Sequence, residues 1–366
     1  MSKQTISTSQ LTLIMASFLT AGTGLSLTKD SIMFAKQDAW FTFFPAMLYG
    51  FLISFCIIYL SRGSVESTLF ELIKKLAGNT LGSLINVWLM FYLLLSVSMD
   101  LRELSEFVKT ILLYNTPTPV IVLCILALVV YLVRAGIEVL VRVNHIYYLI
   151  TLIMFLTLPL LLLNEVTLGN LRPMFTSGWP GLMKGSFNFL GLYGEVLIIS
   201  AVTFAFTPQR EPGKVHPLLR GIMLGTFLAS LMMVTLLVSI GSSMGSKAVY
   251  PNLFVLQMIH ITDFLDRLDV LMTTVFIPSL IMKICMVYYA LCECTCSIGQ
   301  TNMESRAYVI VLMPIVMLFT KFSFENVIDL LHFESHVWPL FTLITQLPLL
   351  LLLMVMKWRR KRSVSV

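Results

Sequence analysis

The chain is dominated by apolar stretches of about 20 residues, and this pattern constrains its fold more than any other feature. Each stretch is long enough to cross the roughly 30 Å hydrocarbon core of a bilayer as a helix. Hydrophobic residues make up 57% of the 366 residues and charged residues only 12%, about half of the charge usual in a soluble domain. Because the sequence lacks the short alternating segments of β-barrels, we expect the spans to be helical.

We predict an all-α integral membrane protein with about ten transmembrane helices, forming a single membrane domain over residues 1–366. The N-terminus lacks the basic region and the small-residue cleavage site of a signal peptide, so the first apolar stretch is expected to remain as a span. The predicted spans lie near residues 11–34, 42–60, 82–113, 118–134, 143–163, 182–207, 218–243, 266–296, 307–320 and 338–356.

The basic residues are distributed unevenly between the two sides of the predicted membrane. Well over half of the 25 lysines and arginines lie at span ends on the side that also holds the termini. By the positive-inside rule, both termini of this multi-pass protein are expected in the cytoplasm. The tail over residues 357–366 begins with Lys-Trp-Arg-Arg-Lys-Arg and is expected to contact anionic membrane lipid rather than nucleic acid.

Two glycine-containing interruptions occupy matching positions in the two halves of the chain. One is Ala21-Gly22-Thr23-Gly24-Leu25 in the first span, and the other is Gly191-Leu192-Tyr193-Gly194-Glu195 in the sixth. Paired interruptions are typical of inverted-repeat transporters with discontinuous helices 1 and 6, here with repeats over 11–163 and 182–356. Close helix packing is the alternative, because small residues at four-residue spacing also let helices approach. We favour broken helices because the pair fits a five-plus-five division.

A broken helix within a bilayer frees backbone groups that a small zwitterion would satisfy. The half-helix beginning near Ser26 would offer N–H groups and a positive dipole end to a carboxylate, and the carbonyls near Leu19 to Ala21 would accept from an ammonium. The expected walls come from spans one, three, six and eight and are mostly uncharged, which favours a small neutral amino acid, with a sugar or nucleoside as the alternative. The predicted ligand-binding residues are Ala21, Gly22, Thr23, Gly24, Leu25, Val97, Met99, Phe187, Leu190, Gly191, Thr274 and Pro278.

Two charged residues lie deep within predicted spans, where such residues are rare and usually functional. Glu195 is expected to hold a substrate ammonium, to carry a proton, or to bond the loose backbone near Thr23 as a clamp across the two breaks, which is the interpretation we favour. Lys283 is expected to face a cavity or a partner, with snorkelling toward the inner interface as the alternative. A wet vestibule is predicted for five charged residues of span three, Asp100, Arg102, Glu103, Glu106 and Lys109.

The sequence contains no phosphate-binding loop, no nucleophile–base pair and no metal-ligand spacing, so we expect neither an enzyme nor a cofactor. Its six cysteines lie within or at the inner ends of apolar stretches, which argues against a disulfide framework. Cys292, Cys294 and Cys296 alternate along a predicted helix, where their side chains diverge. Reduced thiols, open to palmitoylation, are therefore favoured over a metal site.

The segment LIMASFLTAGTGLSL, residues 13–27, resembles the first helix of the B subunit of bacterial spore germinant receptors, a family of the amino acid–polyamine–organocation transporter superfamily. The similarity covers nearly the whole chain, but the sequence departs from the family in one place. Leu25-Ser-Leu-Thr28 stands where members typically carry a proline, which affects the start of the second half-helix. Further similarities follow in order, namely Thr116-Pro-Thr-Pro, Arg134-Ala-Gly-Ile-Glu, Asn170-Leu-Arg-Pro-Met-Phe with Gly178, Tyr193-Gly-Glu195 and Asp266-Arg-Leu-Asp269.

The resemblance implies a LeuT-like fold in the inner membrane of an endospore, where the subunit senses a nutrient together with a membrane A subunit and a lipoprotein C subunit. Sodium-coupled relatives of this architecture bind a cation between spans one and eight, and the Lys283 ammonium is in a position to replace it. Two further functions stay open: a working, proton-coupled amino-acid permease, and a structural membrane scaffold. The physical site is the same for a receptor and a permease, so only the resemblance favours the receptor.

Overall fold

The computed structural model describes residues 6–23, 27–62, 68–163, 166–202, 204, 216–257, 268–299 and 305–364. These residues form α-helices joined by short turns, and no strand occurs among them. The helices are α1 (Thr8–Thr23), α2 (Leu27–Ala35), α3 (Phe43–Ser61), α4 (Leu69–Ala77), α5 (Asn79–Ile111), α6 (Thr118–Arg134), α7 (Ile137–Leu161), α8 (Gly178–Gly194), α9 (Val196–Val202), α10 (Pro217–Gly245), α11 (Pro251–Gln257), α12 (Leu268–Gly299), α13 (Ser305–Ser323), α14 (Val327–His332) and α15 (Trp338–Val364).

Within the described part of the chain, seven helical segments are long and apolar enough to cross a membrane. They are Phe43–Ser61, Asn79–Ile111, Ile137–Leu161, Gly178–Ile199, Pro217–Gly245, Phe276–Gly299 and Val327–Arg360. The prediction of an all-helical integral membrane protein is therefore confirmed. The bent pair Thr8–Thr23 and Leu27–Phe41 makes an eighth span if it is counted as one, and two shorter apolar helices, Thr118–Arg134 and Ala307–Ser323, occupy the positions of predicted spans four and nine.

The first span is divided into two helices, as the sequence predicts, but the first helix ends two residues later than the predicted break begins. Helix α1 ends at Thr23, α2 begins at Leu27, and the chain bends by 70° between them. The carbonyl oxygen of Thr23 lies 3.5 Å from the side-chain nitrogen of Asn252, which donates to it. Ala21 and Gly22, expected within the break, are helical, while Gly24 and Leu25 lie outside the described residues.

The sixth span is not unwound over Gly191–Gly194, and this part of the prediction was wrong. Helix α8 continues to Gly194, and Glu195 keeps helical angles (φ −62°, ψ −11°) with its N–H bonded to the Gly191 and Leu192 carbonyls. The irregularity is confined to one turn at Glu195 before α9 begins. The glycines serve close packing instead, because a Cβ at Gly191 would lie 2.6 Å from the Trp338 ring and one at Gly194 would collide with Thr342.

Small residues also set the contact between α1 and α10. A Cβ at Gly221 would lie 2.6 Å from the Met15 Cβ, and one at Gly225 would lie 3.1 Å from the Leu19 Cβ. This four-residue glycine spacing lets two helix backbones approach each other closely inside a bilayer. The first half-helix is therefore held along α10 up to the point where the chain bends.

Basic side chains join the helix ends beside the C-terminal tail. The Lys357 ammonium donates to the carbonyls of Leu60 and Arg62, at 2.6 Å and 2.7 Å, at the end of α3. Lys74 on α4 donates to the Ser297 carbonyl at the end of α12. Cations at these positions satisfy free carbonyls and complement the negative end of the helix dipole. The basic tail is thus partly a set of helix caps.

Candidate functional site

Three charged side chains from distant parts of the sequence meet in the interior of the helix bundle. The Lys283 ammonium on α12 lies 2.8 Å from Oδ1 of Asp100 on α5 and 3.0 Å from Oε2 of Glu195 at the α8–α9 junction. The three residues are only 6%, 4% and 2% exposed, respectively. We call Asp100, Glu195 and Lys283 the charged cluster.

Two further residues fix the charged cluster in place. The Ser96 hydroxyl, one turn before Asp100 on α5, donates to Oε1 of Glu195 at 3.1 Å. The Lys283 ammonium lies 5.4 Å from the centre of the Phe18 ring on α1, within range of a cation–π contact. Four spans therefore contact the charged cluster, through α1, α5, α8–α9 and α12. A change in one ion pair can alter the packing of all four.

The charged cluster is unbalanced, because one ammonium faces two carboxylates. Each buried charge costs several kcal/mol unless it is paired and hydrogen-bonded. Oδ2 of Asp100 and Oε2 of Glu195 are buried and make no hydrogen bond, and the same holds for Nδ2 of Asn188 on α8. An unsatisfied buried donor or acceptor costs about 1–3 kcal/mol. The charged cluster therefore retains capacity for further hydrogen bonds.

The charged cluster and Asn188 line one narrow cavity, which in this arrangement of side chains has room for about one water molecule. A larger solute would fit only if the surrounding walls moved apart. Leu27, the first residue after the bend in the first span, is part of the wall. The lining residues are Leu27, Met99, Asp100, Asn188, Leu192, Glu195, Lys283, Glu334 and Trp338.

Trp338 and Glu334 reach the cavity through an irregular turn. Residues Phe333–Val337 form a π-helical turn between α14 and α15, a feature that is frequent at functional sites. Trp338 stacks on Tyr92 of α5, with ring centres 4.9 Å apart and planes at 11°. The Tyr92 hydroxyl accepts from the side-chain amide of Gln346 at 3.0 Å. One wall of the cavity is therefore built from α15 and held against α5.

Acidic residues continue along α5 beyond the charged cluster. Glu103 and Glu106 are buried, and Glu106 pairs with Arg102 at 3.0 Å. The prediction of a wet vestibule over this stretch was wrong for Asp100, Glu103 and Glu106, because α12 and the segment before α11 cover that face. In that segment, burial, together with the carboxylates of Glu103, Glu106 and Glu334, raises the pKa of Tyr250. Its phenol therefore stays protonated as a hydrogen-bond donor near these acids.

Of the residues proposed from sequence, Met99, Glu195 and Lys283 line the cavity. Ala21, Gly22, Thr23 and Val97 are buried and do not line the cavity, and a Cβ at Gly22 would collide with the end of the Leu192 side chain unless that side chain shifted. Gly191 packs on Trp338, and Phe187, Leu190 and Pro278 are half-buried elsewhere on α8 and α12. Gly24, Leu25 and the side chain of Thr274 are outside the described part.

Lys283 faces a cavity and has partners, as expected from the sequence, whereas Glu195 has different partners from the backbone favoured there. Glu195 bonds Ser96 and pairs with Lys283, while the loose carbonyl of Thr23 is bonded by Asn252. Lys283 does not snorkel, since both of its partners are buried. Sequence reasoning missed Asp100, Asn188, Glu334 and Trp338. One available signal was charge balance, because a lysine inside a bilayer requires a carboxylate and the apolar part of span three ends at Asp100.

No group of three or more His, Cys, Asp or Glu side chains is arranged to hold a metal ion in the described ranges. The described cysteines are free thiols. Cys294 is buried with its sulfur 3.2 Å from the Asn86 carbonyl, whereas Cys296 is partly exposed. These thiols therefore lie apart from the cavity chemistry.

The apolar helices, the divided first span and the buried charged cavity are those of a polytopic membrane protein with a polar interior cavity. The chain matches the family described as "Spore germination protein" over residues 5–327 and belongs to that family. The family resemblance predicted from the sequence motifs is thereby confirmed.

Three relatives from Bacillus subtilis (strain 168) illustrate the similarity. Spore germination protein KB is 26% identical over 99% of this chain and 97% of its own length. Spore germination protein YndE is 24% identical over 97% of each chain, and spore germination protein B2 is 27% identical over 70% of each. The similarity thus spans both the first and the last helices.

Proposed function

We propose that this chain is the nutrient-sensing transmembrane subunit of a spore germinant receptor, located in the spore inner membrane. The observation that carries the proposal is the cavity beside the bend in the first span, which combines apolar walls with the charged cluster and three buried polar atoms that make no hydrogen bond. Its mixed lining suits a small neutral amino acid or a similar germinant, which would enter as the walls move apart. Membership of the spore germination family supplies the physiological context.

We further propose that the chain crosses the membrane ten times, in a LeuT-like arrangement with both termini in the cytoplasm. The seven long spans, the bent pair and the two shorter apolar helices together match the ten predicted positions. The caps made by Lys74, Lys357 and Arg360 gather basic side chains beside the C-terminal tail, as the positive-inside rule favours for a cytoplasmic face.

Signalling follows from the position of the charged cluster. A ligand that interacts differently with two arrangements of the cluster shifts the population between them. Because the cluster joins α1, α5, α8–α9 and α12, such a shift changes the packing of several spans at once. A partner subunit in contact with those spans would then respond to ligand binding through the altered helix packing. Relatives named B2, KB and A2 support a receptor of several subunits, which we propose to be an A subunit and a lipoprotein C subunit beside this chain.

The test is binding and uptake by the full-length chain in proteoliposomes, with radiolabelled L-alanine, L-valine and L-leucine as probes. A sensor is expected to bind at least one probe saturably, at no more than about one molecule per chain, without accumulation in the lumen. Turnover well beyond one molecule per chain would favour the permease. The absence of binding by all three probes, and by glucose and inosine, would overturn the proposed site.

A further inference from the structure

We infer that Asp100 recognises the ligand's ammonium group and that the ligand thereby competes with Lys283 for this carboxylate. The inference rests on the proposed function, since it assumes that the cavity takes a small amine-bearing nutrient. It assigns the amine contact to a residue of span three, rather than to Glu195 or to the carbonyls at the helix break.

The two carboxylates of the charged cluster differ in what their oxygens already contact. Both oxygens of Glu195 have a charged or polar contact: Oε1 accepts from Ser96, and Oε2, although it makes no hydrogen bond, lies 3.0 Å from the Lys283 ammonium. Asp100 is engaged at one oxygen only: Oδ1 holds Lys283 at 2.8 Å, while Oδ2 is buried without a hydrogen-bond partner. A carboxylate accepts several hydrogen bonds, so Oδ2 retains its full capacity. Asp100 is therefore the acid with an open acceptor in the cavity.

Asn188 on α8 contributes a hydrogen-bond donor to the cavity, whereas Asp100 contributes an acceptor. Nδ2 of Asn188 is a buried donor without an acceptor, and the residue is only 3% exposed. Asn188 and Asp100 line the same cavity, so one wall offers an acceptor and another offers a donor. A molecule that satisfies both carries a cationic amine and a carboxylate or carbonyl a few atoms apart. An α-amino acid has this chemistry, whereas its deaminated acid and its decarboxylated amine each leave one buried group unsatisfied.

Charge balance gives the ligand's amine a consequence beyond affinity. With both acids ionised, Asp100 and Glu195 carry two negative charges against the single positive charge of Lys283, so the charged cluster has room for one more cation. A ligand ammonium at Oδ2 of Asp100 supplies it, while the ligand carboxylate is held at Asn188. The new cation repels the Lys283 ammonium, which already lies almost equally close to Glu195. Lys283 is then expected to favour Glu195, which shifts α12 relative to α5.

The experiment measures binding to full-length protein in nanodiscs by calorimetry. The probes are L-alanine, L-valine and L-leucine, each beside its deaminated acid (propionate, 3-methylbutanoate, 4-methylpentanoate) and its amine (ethylamine, isobutylamine, isoamylamine). Wild-type protein is expected to prefer the amino acid to either fragment by about tenfold or more, the scale of a lost charge-assisted hydrogen bond. Asp100→Asn is expected to lose about tenfold in amino-acid affinity and to stop distinguishing the amino acid from the deaminated acid.

Glu103→Gln is the matched control, because Glu103 is another buried acid on α5, three residues further along, outside the cavity wall. It is expected to keep wild-type affinity within about twofold. If Asp100→Asn fails to fold, Asn188→Leu tests the other contact without changing the charge. That variant is expected to lose affinity for the amino acid while its affinity for the amine stays unchanged.

Four outcomes would overturn the inference. If Asp100→Asn binds the amino acid with wild-type affinity and still prefers it to the deaminated acid, Asp100 does not recognise the ammonium group. The proposed function would remain intact. An equal loss in Glu103→Gln would show a general effect of charge on α5. Binding of inosine or glucose alone would leave a receptor with a different ligand class, and the absence of any binding would refute the proposed function together with the inference.

Discussion

Lys283 and Asp100 form an ion pair with 2.8 Å between the ammonium nitrogen and a carboxylate oxygen, although 183 residues separate them in the sequence. Glu195 approaches the same ammonium to 3.0 Å. Two acids thus share one base in a region where an uncompensated charge is costly. This pair joins α12 to α5 and lines the cavity, so we expect the stability of the helix bundle and the proposed recognition of a ligand to depend on the same contacts.

Replacing Lys283 with Met is expected to lower the free energy of unfolding by about 3–5 kcal/mol, because it leaves two buried carboxylates without a cation. Thermal unfolding of the detergent-solubilised protein measures the loss. Lys321→Met, which removes an exposed lysine on α13, is the control and is expected to change stability by less than about 0.5 kcal/mol. Equal stability of the two variants would contradict the burial and pairing of Lys283.

The same argument predicts a rescue. Adding Asp100→Asn and Glu195→Gln to the Lys283→Met protein removes the uncompensated charges and is expected to restore about half or more of the lost stability. If neutralising the acids destabilises the protein further, the lysine acts through packing rather than through charge.

Gly22 is expected to tolerate no side chain unless Leu192 is shortened. A Cβ at Gly22 would occupy the position of the Leu192 Cδ1 atom, so Gly22→Val should destabilise the protein by about 1–3 kcal/mol. Combining it with Leu192→Ala should recover part of this loss, in the manner of a double-mutant cycle. Gly169→Ala is the control, because the nearest atom to a Cβ there is 3.9 Å away. Strictly additive losses in the double variant would place the two residues apart.

Met99 is expected to limit the size of the nutrient that the cavity takes. It is buried on α5 and lines the wall beside Asp100, so Met99→Ala enlarges the cavity by several atoms. The ratio of the L-leucine to the L-alanine binding constant is expected to rise by about tenfold, the scale of one or two buried methylene groups. Met90→Ala, a half-buried position on the same helix that does not line the cavity, should leave the ratio unchanged. An equal change of the ratio in both variants would show that Met99 does not determine the size selectivity.

Lys357 is expected to matter more to stability than its neighbours in the basic tail. Its ammonium caps the end of α3 through the carbonyls of Leu60 and Arg62, so Lys357→Met should cost about 1 kcal/mol. Arg359→Met is the comparison, since Arg359 is an exposed cation two residues along the same helix. Thermal unfolding of the two variants measures both losses. Equal losses of stability would show that Lys357 contributes only its charge and not a helix cap.

Composition alone was sufficient to predict most of the helices. Spans such as Phe43–Ser61 and Pro217–Gly245 are apolar runs whose backbone has no alternative to helix in a bilayer. The bend in the first span was predicted from its glycines, and the chain does turn between Thr23 and Leu27. The same signal misled at Gly191 and Gly194. Glycines serve both packing and unwinding, and only the neighbouring Trp338 and Thr342 show which role applies.

The site was harder to predict because its members are far apart in the sequence. Asp100 looks like one of several acids at the end of span three, and only the fold places it on Lys283. Trp338 and Glu334 enter through a π-helical turn, which has no periodic pattern in the sequence. Local sequence patterns thus identified Glu195 and Lys283 as buried charges of the site. Their partners could not be predicted because they come together only through tertiary packing.

We propose that this chain senses a nutrient through the charged cluster. The most direct measurement is germination, followed as the fall in optical density of spores in which this chain and its partner subunits form the only nutrient receptor. Wild-type spores and spores with Glu293→Gln, a control on α12 away from the cavity, are expected to respond to the same amino acid. Spores with Glu195→Gln are expected to lose most of the response while holding equal amounts of the protein. A full response in Glu195→Gln spores would contradict the account.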